Sequence, residues 1–401
     1  MTATEHVLNN ALLPDGSTAA IGIGGGRITA IGALDKSGAP GLDLAGGLVL
    51  PGFTDGHMHL DKTVMGQKWL PHQAAPDRWS RIQTEKEIEK KLGLPTEERA
   101  AVLIEICVAH GTSHIRTHID IDTDIRLSRL EGMLRARERF RDHVDIEIVA
   151  FPQSGVVSRP GTLEVLDEAI AAGADIVGGM DPLVVDHDAV GQLDGIFAIA
   201  ERRGVGIDIH LHEPGEAGIH SLERICERTE SYGLQGKVTV SHGFSLAMVS
   251  PEKSDATAEW MARAGVNLVT HGAGGFFLPP VKRLRELGVE VFAGNDDVRD
   301  TWSPYGSGDM LERAMLIGWR ADFRRDDDLE MVFDIVSAAA ARVRGDDPWG
   351  LTVGAPADFC VVDAQCIPEA VVAHPPRKLV LKNGQVVARG GRYLETPEAV
   401  T

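Results

Sequence analysis

The sequence predicts an α/β fold, a (β/α)8 TIM-type barrel accompanied by a small β-sandwich domain built from both chain ends. Three observations lead there. The middle of the chain alternates short apolar runs with amphipathic stretches of helical length, the pattern of parallel strands joined by crossover helices. Eight such strand candidates occur, the number that closes a barrel. The two ends share another texture, short β-type runs punctuated by glycine. The predicted division is 1–50 for the N-terminal part of the sandwich, 51–347 for the barrel and 348–401 for the C-terminal part of the sandwich.

In chain order, the first sandwich strands fall at residues 6–8, 19–23, 28–31 and 42–50. Gly22-Ile23-Gly24-Gly25-Gly26 has the glycine content of a phosphate loop. It lies between strands rather than opening a helix, so it reads as a hairpin. The barrel strands are predicted at 52–59, 112–120, 145–152, 176–179, 206–212, 238–242, 267–271 and 290–296. Helices are predicted at 96–110, 125–140, 163–172, 189–203 and 221–232, and the charged run 324–328 reads as a solvated turn before the last helix. The sandwich resumes at 358–362, 378–381 and 385–389, with Lys382-Asn383-Gly384 as a tight turn.

Composition narrows the class. The chain has 401 residues, 43% hydrophobic and 25% charged, which is ordinary for a globular protein. Lys and Arg number 40 against 59 Asp and Glu, a net charge of −19 that argues against a phosphate-backbone binder. No apolar stretch reaches the ~18–20 residues of a membrane span, and residues 1–10 lack a signal-peptide pattern, so a cytoplasmic protein is expected. The cysteines, Cys107, Cys226, Cys360 and Cys366, are scattered without CxxC spacing. Neither a disulfide framework nor a zinc knuckle is indicated.

The chemistry gathers at the carboxyl ends of the predicted strands, where barrel enzymes place their sites. Strand one ends His57-Met58-His59, and residues two apart on a strand point the same way. Strand five ends His210-Leu211-His212-Glu213, strand six Ser241-His242-Gly243 and strand eight Asn295-Asp296-Asp297. Singly, His242 could support a loop and Asp296 cap a helix. Together, imidazoles and a carboxylate at successive strand ends suit a divalent transition ion with one position open to water. Arg116, His118 and Asp120 on strand two fit either a pocket wall or buried ion pairs, and His271 could face a substrate.

Residues 51–59, Pro-Gly-Phe-Thr-Asp-Gly-His-Met-His, resemble the strand-one signature of the amidohydrolase superfamily. The resemblance extends over nearly the whole chain and is greatest to its cytosine deaminase-like branch and to the N-isopropylammelide aminohydrolases. It rests on His57-Met58-His59-Leu60-Asp61-Lys62, Arg116-Thr117-His118, the Phe151–Gly155 segment, His210 with Glu213, Ser241-His242, and the run from Asp296 to Trp302. The resemblance implies one divalent ion, Zn2+ or Fe2+, on His57, His59, His210 and Asp296. It implies that Glu213 moves protons to a ring nitrogen and His242 orients the attacking water, with Asp296 exchanging the water's proton. It places Gln153, Asp297 and Trp302 around the substrate. Binuclear relatives carry a lysine at the end of strand four; residues 176–181 here contain none, so one metal is expected.

Lys62 and His212 resemble the triazine enzymes, whereas Glu213 and Asn295-Asp296-Asp297-Val298 resemble cytosine deaminase. The expected activity is hydrolytic deamination of an amino-substituted nitrogen heterocycle, an aminopyrimidinone such as cytosine, with an N-alkylamino-s-triazine as the alternative. Opening of a cyclic amide or urea and a non-catalytic barrel are the rival readings. The implied partners are the small heterocyclic substrate and further copies of the chain in a homo-oligomer, with no nucleic acid and no membrane.

Overall fold

Eight parallel strands form one sheet of the computed structural model, which describes residues 3–34, 39–72, 77–272, 274 and 277–400. They are Phe53–Met58, Thr112–Asp120, Asp145–Phe151, Ile176–Met180, Gly206–Leu211, Val238–His242, Val266–Thr270 and Val291–Ala293, called strands one to eight below. Each pairs in parallel with the next. These are runs buried on both faces, as a sheet covered by helices requires. Strand eight has three ladder residues rather than the expected seven. Beyond it the chain turns onto strand one: a Cβ on Gly294 would lie 2.3 Å from the His57 backbone nitrogen, so glycine alone fits. The barrel then closes through a Met58–Asp296 bridge, the Asp296 N–H donating to the His57 carbonyl at 2.7 Å. Asp55 fastens the same seam by accepting from the Asn295 backbone (2.9 Å) and side-chain (2.6 Å) nitrogens.

The predicted helices are present as Thr96–Ala109, Ser128–Arg139, Thr162–Ala172, Ala189–Arg203 and Gly215–Ser231. Others fall where the expected βα units placed a helix without giving its bounds. Pro251–Ala264 is capped by Ser250, opens with proline and stops at left-handed Gly265, a start and stop that sequence signals allow. Within the run read as a turn, Asp326, Asp327 and Asp328 instead form the first turn of Asp326–Ile335, where carboxylates meet the positive end of the helix dipole. Arg78–Glu89 lies between strand one and the first crossover helix and buries just Ile82 and Glu85.

The chain ends build a second, nine-stranded sheet in which Leu48–Pro51 joins N-terminal strands to Phe359–Val362. Alternate residues face two cores. Val49, Phe359, Val361, Leu379 and Leu381 pack inward with Leu8, Ile21 and Ile23. Leu48, Leu50, Cys360, Val362 and Val380 pack against the barrel. The sheet curls on itself, since a Cβ on Gly384, in the hairpin between Leu379–Lys382 and Gln385–Arg389, would sit 2.7 Å from Ile23 of the first hairpin. Gly25 and Gly26 form the turn between Thr18–Gly24 and Arg27–Gly32, the expected hairpin. The cysteines are free, and no described helix is long and apolar enough to cross a membrane.

Candidate active site

The barrel delivers its polar side chains to one place. His57 ends strand one, with His59 just beyond it; His210, His242, His271 and Asp296 come from the ends of strands five, six, seven and eight. Nε2 of His57 and Nε2 of His59 each lie 3.3 Å from Asp296 Oδ1, and His210 Nε2 lies 3.4 Å from His59 Nε2. His57, His210 and His242 form one set of mutually close donors, and His242, His271 and Asp296 another. His242 and Asp296 hold φ at 77° and 61°, left-handed backbone that side-chain-bearing residues rarely adopt and that aims both inward.

Hydrogen bonds fix which nitrogen His57 and His59 present. Ser241 Oγ donates to Asp208 Oδ1 (2.6 Å), so it must accept from His57 Nδ1 (2.9 Å), and the His57 lone pair is on Nε2. His59 Nδ1 faces the His118 carbonyl at 3.2 Å, which only accepts, so its lone pair is also on Nε2. Both lone pairs face Asp296. The support runs deeper: Arg116 holds Asp208 at 3.1 Å and Glu147 at 2.6 Å. Arg116 is therefore buried ion-paired support rather than pocket wall, and His118 lies behind the site, 4.0 Å from the His57 ring centre.

Burial pushes His59 and His271 down to about 4, and His210 and His242 well below their ordinary value, so these imidazoles are neutral at physiological pH. Buried His57 Nε2, His210 Nδ1 and both His242 nitrogens have no hydrogen-bond partner. Neutral imidazoles with orphaned nitrogens around a carboxylate are a donor set that fits a divalent ion.

Above them opens a cavity of about 930 Å3 lined by His59, His210, His212, His271, Asp296, Asp297, Lys62, Gln153 and Trp302, among others. Lys62 Nζ lies 3.4 Å from Asp120 and 3.9 Å from Glu85, and donates to Gln153 Oε1; Asp61 pairs with Arg129 instead. Burial works against the Lys62 charge, but Asp120, Glu85 and Asp61 hold its ammonium above the ordinary lysine value. The Gln153 amide directs Nε2 to Glu85 (3.3 Å) and Asp120 (3.1 Å). Both its hydrogens are thus engaged, so Gln153 offers the cavity its carbonyl alone, not the donor–acceptor pair that a free amide provides. Burial, with Asp300 and Asp296 alongside, pushes Asp297 well above the carboxylate range.

Glu213 departs from the expectation. Its carboxylate accepts from the backbone N–H of Leu183 (2.6 Å) and Val184 (3.0 Å) and from Ser221 Oγ (2.5 Å), and it is not among the cavity's lining residues. Glu213 is the second residue past the strand end, and these three donors draw it to the loop after strand four and the helix Gly215–Ser231. His212 takes the cavity side. Its Nδ1 lies 3.0 Å from Asp181 Oδ2, its ring stacks 4.3 Å from that of His242, and Arg78 donates to the same Asp181 oxygen. Asp181 follows strand four, so its place at a strand end was the available signal; Asp208, two residues before His210 on one strand face, had a similar one. Nothing in the sequence pointed to Glu85.

Barrels that gather imidazoles and carboxylates at the carboxyl ends of their strands constitute a class of hydrolases, and comparison with known proteins places the chain within it. The family model described as "Amidohydrolase family" matches residues 41–388. The chain belongs to that family and is a hydrolase acting on carbon–nitrogen bonds. It is 32% identical over 405 residues to N-isopropylammelide isopropyl amidohydrolase of Pseudomonas sp. (strain ADP), covering 96% of this chain and 97% of that one. Among solved structures it is similar to N-isopropylammelide isopropylaminohydrolase from Burkholderia multivorans, with 45% identity, a TM-score of 0.94 and coverage of 98% and 100%. It is also similar to 5-methylcytosine deaminase from Klebsiella pneumoniae liganded with 5-fluorocytosine, with 26% identity, a TM-score of 0.84 and coverage of 97% and 98%. The double resemblance expected from the sequence is met.

Proposed function

We propose that this protein hydrolyses the exocyclic C–N bond of an oxo-substituted amino-s-triazine, releasing an amine or ammonia. The observation that carries this choice is the exchange of places at the end of strand five. His212 and Lys62, the two residues resembling the triazine enzymes, line the cavity, whereas Glu213, the residue resembling cytosine deaminase, is turned under the loop. The similarity to the Burkholderia multivorans enzyme points the same way. An aminopyrimidinone substrate remains the second reading, favoured by Asp297 and Gln153 in the cavity wall.

His57, His59, His210 and Asp296 would hold one divalent ion, zinc or iron(II), which when bound supplies an activated water as nucleophile near neutral pH. The chain's own groups do the rest. Asp296 takes the proton of the attacking water, its Oδ2 lying 3.6 Å from His271 Nε2. His242, adjacent to both, orients that water. The ring lies with an N–H towards Gln153 Oε1 and an oxo group towards Lys62, whose fixed charge offsets electron density pushed onto the ring during attack. His212, with its Nδ1 proton held by Asp181, passes through Nε2 to the departing amine the proton that Asp296 took from the water. The new C–O bond replaces the broken C–N bond, and the ring gains an oxo group.

Amine or ammonia release should be measured across cytosine, isocytosine, ammelide and N-alkylammelides. Triazines are expected to lead in kcat/KM. A clear preference for cytosine would restore the second reading, and turnover confined to acyclic amides would refute both.

A further inference from the structure

The helix Arg78–Glu89 packs across the cavity, yet it brings little apolar surface with it: among its residues just Ile82 and Glu85 are buried. One isoleucine contributes about 1.5–3 kcal/mol on burial. The helix is otherwise held by charge. Lys86 meets Asp122 at 2.8 Å, Glu89 meets Arg129, and Arg78 meets Asp181.

Its inward groups bear on the residues that meet the substrate. Glu85 turns Oε1 to the Arg129 guanidinium, 3.3 Å from both Nη atoms. Its Oε2 accepts from Gln153 Nε2 at 3.3 Å and from the Trp302 indole N–H, with Lys62 at 3.9 Å. A carboxylate only accepts, so Glu85, together with Asp120, holds the Gln153 NH2 away from the cavity. At the other end of the helix, Arg78 grips the Asp181 oxygen that orients His212.

We infer that Arg78–Glu89 is the positioning element of the substrate cavity: Glu85 sets Gln153 and Trp302, and Arg78 sets His212 through Asp181. The inference rests on the proposed reading for which groups the substrate touches, but not for the contacts themselves. Removing the Glu85 charge leaves Asp120 as the one carboxylate on the Gln153 NH2 and takes the acceptor from the Trp302 indole, so the loss should fall on recognition rather than on turnover.

The test compares wild type with Glu85→Gln and Arg78→Gln. Glu85→Gln should keep its metal content, raise KM for an N-alkylammelide about 10-fold or more, and leave kcat within a few-fold. It should also change the near-UV circular dichroism that Trp302 contributes, read as the difference from a Trp302→Phe background. Arg78 is partly exposed, so its variant folds even if Glu85→Gln does not; it should lower kcat with KM nearly unchanged. Conservative Glu85→Asp should restore part of the Trp302 signal. A folded Glu85→Gln with wild-type KM and an unaltered Trp302 signal, or an Arg78→Gln with wild-type kcat, overturns the inference. If wild type turns over none of the heterocycles, the functional reading fails, and the Trp302 signal alone decides the positioning role of Glu85.

Discussion

Replacing Ser241 with alanine isolates the device that prepares His57. In the wild type, the Ser241 hydroxyl spends its one hydrogen on Asp208 at 2.6 Å and receives the His57 Nδ1 proton at 2.9 Å. Without that oxygen, the Nδ1 proton has no acceptor, and leaving a buried donor unpaired costs about 1–3 kcal/mol. The imidazole can avoid the cost by moving its proton to Nε2, but this removes the lone pair that faces Asp296. Either route weakens binding of the ion, by the 10–100-fold typical of groups that orient metal-binding histidines, or ~1.4–2.7 kcal/mol. Chelator competition with zinc on the purified variant measures this directly, and thermal unfolding of the metal-free proteins separates it from damage to the fold. Asp208→Asn should behave similarly but more mildly, because an amide still offers an oxygen to the serine. Unchanged zinc affinity in a folded Ser241→Ala would refute the assignment of the His57 tautomer.

Replacing His57 or Asp296 with alanine should remove both the ion and the activity from a protein that otherwise carries one ion per chain; elemental analysis finding two ions per chain rules the single site out. Glu213→Gln should retain most turnover, because a glutamine carbonyl can still accept from Leu183 and Val184, whereas His212→Gln should lose about 10²–10⁴-fold in kcat. The opposite ranking would return the proton to Glu213. Acid should destabilise the metal-free protein over a defined window. His59 and His271 fall from 6.5 to about 4 through burial, so between these values the unfolded chain binds protons that the folded chain refuses. Each of these histidines should therefore withdraw up to ~3 kcal/mol as pH drops from 6.5 towards 4, against the opposite contribution of Asp55 and Asp300, which burial raises to about 6; a His271→Asn variant whose denaturant midpoint follows pH as wild type does would contradict it.

The barrel was legible because buried parallel strands read as near-continuous apolar runs, and its histidines stood at their ends. Strands such as Thr112–Asp120 and Val238–His242 begin and end where the pattern does. What escaped has physical reasons. Arg392–Glu398 is a largely exposed strand at the sheet's edge, with no apolar alternation to reveal it. Arg78–Glu89 docks through ion pairs, so it carries no hydrophobic stripe. The direction of Glu213 depends on donors from Leu183, Val184 and Ser221, two loop positions and a helix residue whose approach no local pattern announces. His271, by contrast, stood at a strand end and lines the cavity as its position allowed.

The joint between strands eight and one has a consequence for how this enzyme fails. A three-residue strand gives that joint little ladder of its own, and His57 and Asp296 supply both its closing backbone bond and side chains of the ligand cluster. The geometry of the proposed site and part of the mechanical closure, which Asp55 and Asn295 share, are thus borne by the same two residues. Heat or denaturant that parts the joint disassembles the site while the remaining strands are still paired, so loss of activity should precede loss of helical signal. Conversely, an ion gripped from both sides works as a rivet. Its binding free energy is added to the barrel's weakest edge, and amide exchange at Asn295 and Asp296 should slow on loading more than exchange in strands two to five.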